Sequence, residues 1–175
     1  MYLIAGVDRS LNVVCVIYAP PHVVNNVHNA LLRMTIYRRV HVRKMGRKEK
    51  LLFLSSLLKS TANFFKLGLE IHGIIMRKSI KLSRYSLVNL IASILQSKSG
   101  KAFLCSNFES KGFSLYALLK RKLRTWELLI SDSNPAVEIA DAYANLIRKC
   151  IKDDFIMQGR KFINQLIKMR RIHWI

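Results

Sequence analysis

Acidic side chains are what this chain has least of: 10 Asp and Glu stand against 30 Lys and Arg in 175 residues, a formal net charge of +20. Such an excess repels itself in a compact state. The partner that offsets it is a polyanion, nucleic acid first and an anionic membrane surface second. Cysteine is also sparse. Cys15, Cys105 and Cys150 are odd in number, far apart and free of CxxC or Cys/His spacing. That excludes a zinc motif and a disulfide framework, and it fits an intracellular, reducing compartment. Long apolar runs are missing too. The most apolar window, Leu51 to Met76, contains Lys59, Lys66, Glu70 and His72, so no membrane span is expected. Asp8 and Arg9 interrupt the N-terminal apolar stretch, which argues against a signal peptide. With 3 Pro, 7 Gly and nothing of low complexity, no linker divides the chain. One soluble domain with a substantial core is the expectation.

What is present begins with two β-branched runs, Tyr2 to Val7 and Val13 to Tyr18, split by a polar turn and read as a hairpin. Pro20-Pro21 ends the second run. Met34 to Val42 favours a third strand with a basic outer face, inside the densest basic block, Arg33 to Lys50. Lys48 to Phe65 has helical apolar spacing, and Leu67 to Ile75 fits a buried strand. Tyr85 to Gln96 reads as a helix, Lys101 to Cys105 as a short strand and Leu115 to Ile130 as a basic helix. Asn134-Pro135 is a helix start, Asn134 as cap and Pro135 in the first turn. That helix runs to about Cys150, and another occupies Gln158 to Arg171. Strands first, then alternating helices and strands, imply an α/β fold with a mixed five-stranded sheet and helices on both faces.

In so acid-poor a chain each well-placed carboxylate needs an explanation. Asp8 stands at the exit of the first strand. Glu70 is centred in an apolar strand, where an ionised side chain is costly without a cation. Glu138 and Asp141 are three apart on a helix and project from one face. Four carboxylates converging on one spot would bind two divalent cations, which activate water and stabilise the leaving oxygen of a phosphodiester. Oxygen ligands suit Mg²⁺ or, in its place, Mn²⁺. Each acid also has an ordinary reading: a turn residue for Asp8, an ion pair with Arg77 or Lys66 for Glu70, and helix-surface roles for Glu138 and Asp141.

Gly6-Val7-Asp8-Arg9-Ser10-Leu11-Asn12 resembles the first motif of RuvC-type Holliday-junction resolvases, in the RNase H-like superfamily. Glu138-Ile139-Ala140-Asp141-Ala142 resembles their closing acid-x-x-Asp-Ala motif on the last core helix, and Glu70 falls where they have a second acid, on the fourth strand. The basic stretch Lys101 to Trp126 is most similar to the poxvirus branch and related viral or phage enzymes. The resemblance implies a nuclease domain over residues 1–150, with 151–175 as a basic helical extension. It implies Asp8, Glu70, Glu138 and Asp141 as ligands of two Mg²⁺ ions per active site, and a homodimer that cuts four-way or other branched DNA without a small-molecule cofactor. A catalytic lysine is implied before the last helix, and Lys111 and Lys120 are both eligible. Arg9 stands where a proline or small residue is commoner, and Glu138 where Asp is more usual. A second resemblance points elsewhere. Leu57 to Gly73 and Leu146 to Ile172 are similar to pentatricopeptide-repeat helix pairs, which imply an all-α, RNA-binding solenoid without catalysis.

Overall fold

Alternating apolar residues at the start of the chain form two antiparallel strands, β1 (Tyr2–Ser10) and β2 (Val13–Ala19), as the hairpin reading expects. The structure is a computed structural model that describes residues 1–36, 39–77, 80–110, 113–152 and 156–175. Pro20 and Pro21 stop β2 and open α1 (Pro21–Arg33), Pro21 occupying the first turn, where its missing N–H is harmless. There follow α2 (Arg47–Lys66), β3 (Glu70–Ile75), α3 (Ile80–Leu95) and β4 (Ser99–Leu104). A two-residue ribbon, β5 (Glu109–Ser110) with β6 (Phe113–Ser114), leads to α4 (Leu115–Lys122) and β7 (Trp126–Ile130). The chain closes with α5 (Pro135–Ile151), α6 (Ile156–Lys168) and β8 (Ile172–Trp174).

The main sheet has the order β7-β4-β1-β2-β3-β8. β1, β4 and β7 run parallel, β2 is antiparallel to both β1 and β3, and β8 joins β3 in parallel. Side chains alternate across it. Leu3, Ala5 and Val7 face a layer built with Leu87, Val88 and Ile91 of α3 and Leu115 and Leu119 of α4. Val13, Cys15 and Ile17 of β2 face the opposite layer, made with α1, α2, α5 and α6. Helices therefore cover both faces, as expected. Among the described residues no helix is long and apolar enough to cross a membrane.

Several sequence expectations change. Met34 to Val42 is not a third strand: α1 runs to Arg33, Val42–Lys44 is a 3₁₀ turn, and Tyr37 and Arg38 lie outside the described residues. Val40 and Val42 are buried as a strand reading requires, but their N–H groups bond to carboxylates rather than to a neighbouring strand. The helix read over Leu115 to Ile130 stops at Lys122, and Trp126–Ile130 becomes β7, pairing with β4. Trp126 fixes that strand, with its ring buried and its indole Nε1 donating to the Leu95 carbonyl at 3.0 Å. Five strands become six because β7 replaces the misread segment and the C-terminus adds β8. Residues 151–175 are thus not wholly helical. The paired β3 strand between α2 and α3 also overturns the all-α solenoid, which has no place for a sheet.

On β3, His72 stacks between Tyr18 of β2 and His173 of β8, with ring centroids 5.8 and 5.7 Å apart. Burial, reinforced by His173, Arg171 and Lys98, pushes the His72 pKa down to about 4. A His with a folded pKa below its unfolded value stabilises the fold fully above pH 6.5, and that contribution is lost as pH falls through 4. Between pH 7.5 and 4.5 the loss is on the order of 2 kcal/mol. Urea denaturation of wild type and His72→Phe at both pH values checks this. An equal acid loss in the two proteins would rule His72 out as its source.

Candidate active site

The site is built where α5 crosses β1. Asn134 caps the helix, its side chain accepting from the Ala136 N–H at 2.9 Å, and Pro135 follows in the first turn. Ala136, Ala140 and Ala144 recur every four residues and are fully buried, so the helix can lie close to the sheet. Gly6 meets it on the strand side, where a Cβ would fall 2.1 Å from the Ala136 carbonyl oxygen. This close approach brings the stripe Glu138, Asp141, Asn145 and Arg148 alongside the end of β1. Ser10 Oγ bonds Asn145 Oδ1 at 3.1 Å, and Arg148 Nε donates to Ser10 Oγ at 3.1 Å.

Asp8 is not a turn residue. It lies inside β1 opposite Cys15, and the turn falls at Leu11-Asn12, with Leu11 at φ 54°. Its Oδ1 accepts from the Arg9 N–H at 2.6 Å, and the Cys105 thiol also bonds to it. Burial pushes its carboxyl up to about 6, and the nearby Asp141 adds to the rise. Burial raises Asp141 as well, against the opposing pull of the Val42 N–H and Arg43.

Asp8, Cys105, Asp132, Glu138 and Asp141 line one pocket of about 190 Å³, with His41 and Arg43. Four of the chain's ten acids therefore meet in one place. Glu138 accepts from His28 Nε2 at 2.8 Å and from the Val40 N–H at 2.9 Å. Asp141 accepts from Asn145 Nδ2 at 2.8 Å and from the Val42 N–H at 3.2 Å. The two helix acids thus also hold the segment after α1 against α5, and that packing role accounts for part of their burial. A larger cavity of about 780 Å³ opens at the other end of β1, lined by Leu3, Tyr18, Glu70 and Lys98. Its size does not make it the site, because it gathers only one acid.

Asp8, Glu138 and Asp141 are brought together as expected from the sequence; Glu70 is not. Level with Asp8 across the sheet are Cys15 and then Gly73. Glu70 lies three residues before Gly73, about 10 Å along the strand, and by strand alternation faces the other side. There it pairs with Arg171. With Met34 to Val42 no longer a strand, Glu70 belongs to the third strand, and the fourth is β4. Just past its end, beside Asp8, is Cys105, whose N–H bonds the Val7 carbonyl. Lys120 is on α4, its Nζ over the Tyr116 ring and outside the pocket lining. Lys111 lies outside the described residues. The sequence reading missed Asp132, whose Oδ1 accepts from the Ser106 N–H at 2.7 Å. Its scarcity as an acid and its place just ahead of the Asn134 cap were the available signals.

These donors suit a hard divalent cation only in part. Beside the four carboxylates, Cys105 sets a thiol against Asp8, and a thiol is a poor donor for Mg²⁺. Among the described residues no three His, Cys, Asp or Glu side chains are grouped to hold an ion. A single Mg²⁺ is less demanding. It keeps several waters and binds through one or two carboxylates plus substrate phosphate, which Asp8 and Asp141 can supply.

No family model matches the sequence, and no curated protein does. Solved structures do match. The crystal structure of ribonuclease H2 from Pyrococcus horikoshii OT3 aligns with a TM-score of 0.53 at 14% identity, over 90% of this chain and 77% of that one. A chain of the PCNA:RNase HII complex from Archaeoglobus fulgidus aligns at 0.50 and 13% identity, over 97% and 91%. Together with the sheet order, these likenesses make the fold RNase H-like, with six strands rather than five.

Proposed function

We propose that this chain is a metal-dependent endonuclease that hydrolyses phosphodiesters of branched DNA. One observation carries the reading: in a chain of net charge +20, four of ten acids line a single pocket at the ends of β1 and β4. A basic surface recruits the polyanion, and a local acidic pocket within it needs a cation to accept that polyanion's phosphate. Asp8 and Asp141 would hold Mg²⁺, with Asp132 beside them. When bound, the ion would polarise the phosphate and lower the pKa of its water. Asp8 is held rigidly by its strand and by the Arg9 N–H. Glu138, bonded to His28 and Val40, keeps α5 and the segment after α1 in register, so that Asp141 stays facing Asp8.

Branched DNA is preferred as the substrate because Glu138 and Asp141 both reach the pocket from the first turns of the last core helix, the arrangement the resolvase resemblance implies. A homodimer with two such pockets would nick opposed strands. The ribonuclease H2 likeness favours a second substrate, the RNA strand of an RNA–DNA hybrid. A panel of four-way junction, flap, linear duplex and hybrid, each with Mg²⁺ and with EDTA, separates them. We expect junction cleavage that EDTA abolishes. Cleavage confined to the hybrid moves the assignment to the second substrate, and no cleavage of any member ends the nuclease reading.

A further inference from the structure

We infer that Arg43, Lys50 and Arg148 form a clamp for a backbone phosphate of nucleic acid, set beside the acidic pocket at the exit of β1; this rests on the proposal that nucleic acid is the substrate. Two guanidinium groups from distant parts of the chain are anchored on consecutive residues. Arg43 Nη2 donates to the Arg9 carbonyl at 2.6 Å, and Arg148 Nε donates to Ser10 Oγ at 3.1 Å. Ser10 is in turn fixed by Asn145. Each guanidinium spends one donor on this anchoring, and among the described residues neither forms a salt bridge. The rest of each planar fork is the group that matches phosphate oxygens bidentately.

Lys50 of α2 completes the cluster. It is partly buried, and Arg148, Lys149 and Arg43 all act on it, with Asp141 as the opposing carboxylate. Like charges gathered here repel, and the acids of the neighbouring pocket, Asp141 on Lys50 and Asp8 and Asp141 on Arg43, draw them toward the pocket mouth. Favourable placement at the end of a helix dipole accounts for Arg148 and Lys149 in the last turn of α5. It does not account for Arg43 and Lys50, which come from the turn before α2 and from α2 itself. A phosphodiester seated on the free faces of the guanidinium groups would add negative charge where the three cations converge. Because Arg43 also lines the acidic pocket, the same strand then passes directly over Asp8.

The test is binding without chemistry. A fluorescent four-way junction and a linear duplex are titrated in EDTA at several salt concentrations, with wild type, Lys50→Gln, Arg43→Gln and Lys98→Gln. Lys98 lies by the large cavity at the opposite end of β1 and serves as the control. We expect Lys50→Gln and Arg43→Gln each to weaken binding roughly threefold to tenfold on both substrates, and to reduce the log–log salt slope by about 1. Lys98→Gln should do neither. Circular dichroism melts confirm that the variants fold, and Arg43→Lys, which keeps the charge but loses the fork, should fall between wild type and Arg43→Gln. Wild-type affinity and slope in both clamp variants overturn the clamp. If wild type cleaves nonetheless, the nuclease reading survives its loss. If the slopes shift as expected but no substrate is cut, the clamp stands and the nuclease reading falls.

Discussion

Asp8→Asn is expected to lower Mg²⁺-dependent cleavage of a four-way junction by on the order of 10²- to 10³-fold, the loss seen when one charge-stabilising group leaves a hydrolytic site. Junction binding should be unchanged or slightly tighter, because a negative charge leaves a surface that meets phosphate. The substitution isolates charge from shape. Asn keeps an oxygen able to accept the Arg9 N–H, and its volume suits the same buried position in β1. Burial and Asp141 already oppose ionisation of Asp8, so removing the charge relieves the fold rather than straining it. Cleavage assays beside anisotropy titrations and a thermal melt give the three readouts. Full activity in a folded Asp8→Asn protein would end the site assignment.

Gly6→Ala should be nearly as damaging, through the fold. The added Cβ meets backbone, 2.1 Å from the Ala136 carbonyl oxygen and 2.8 Å from the Val137 nitrogen, and no side-chain rotation can relieve that. The start of α5 must move away from β1, carrying Glu138 and Asp141 with it. Overpacking of this kind costs about 3 kcal/mol or more. For a chain of this size that lowers the melting temperature by roughly 10 °C. Gly46→Ala is the comparison, since nothing lies within 4 Å of a Cβ there, and it should cost about 1 kcal/mol at most as an N-cap change. Equal melting temperatures for the two variants would show that the close crossing of α5 over β1 is not required.

Local chemistry made much of this molecule readable. The β1–β2 hairpin follows from two β-branched runs and a polar turn. α2, α3 and α5 follow from apolar spacing and, for α5, from the Asn134-Pro135 cap. The strand read over Leu67 to Ile75 follows from a short apolar run and appears as β3, Glu70–Ile75. β7 was hidden because Leu115 to Ile130 reads as one basic helix, and only pairing with β4 makes Trp126–Ile130 extended. β8 is three residues long, too short for periodicity to mark. The segment before Met45 has the composition of a strand but finds its hydrogen-bond acceptors on Glu138 and Asp141.

The same division holds at the site. The sequence alone singled out Asp8, Glu138 and Asp141 as candidates for one site, because the last residues of a strand and one face of a helix are local geometries. Which further groups join them was decided only by the tertiary structure. Glu70 fails because register with β2 sets Gly73, three residues further on, level with Asp8. Cys105 and Asp132 succeed because β4 runs parallel to β1 and β7 parallel to β4, so that all three strands end on the same side. Strand order and register are non-local pairings, and spacing along the chain carries no record of them.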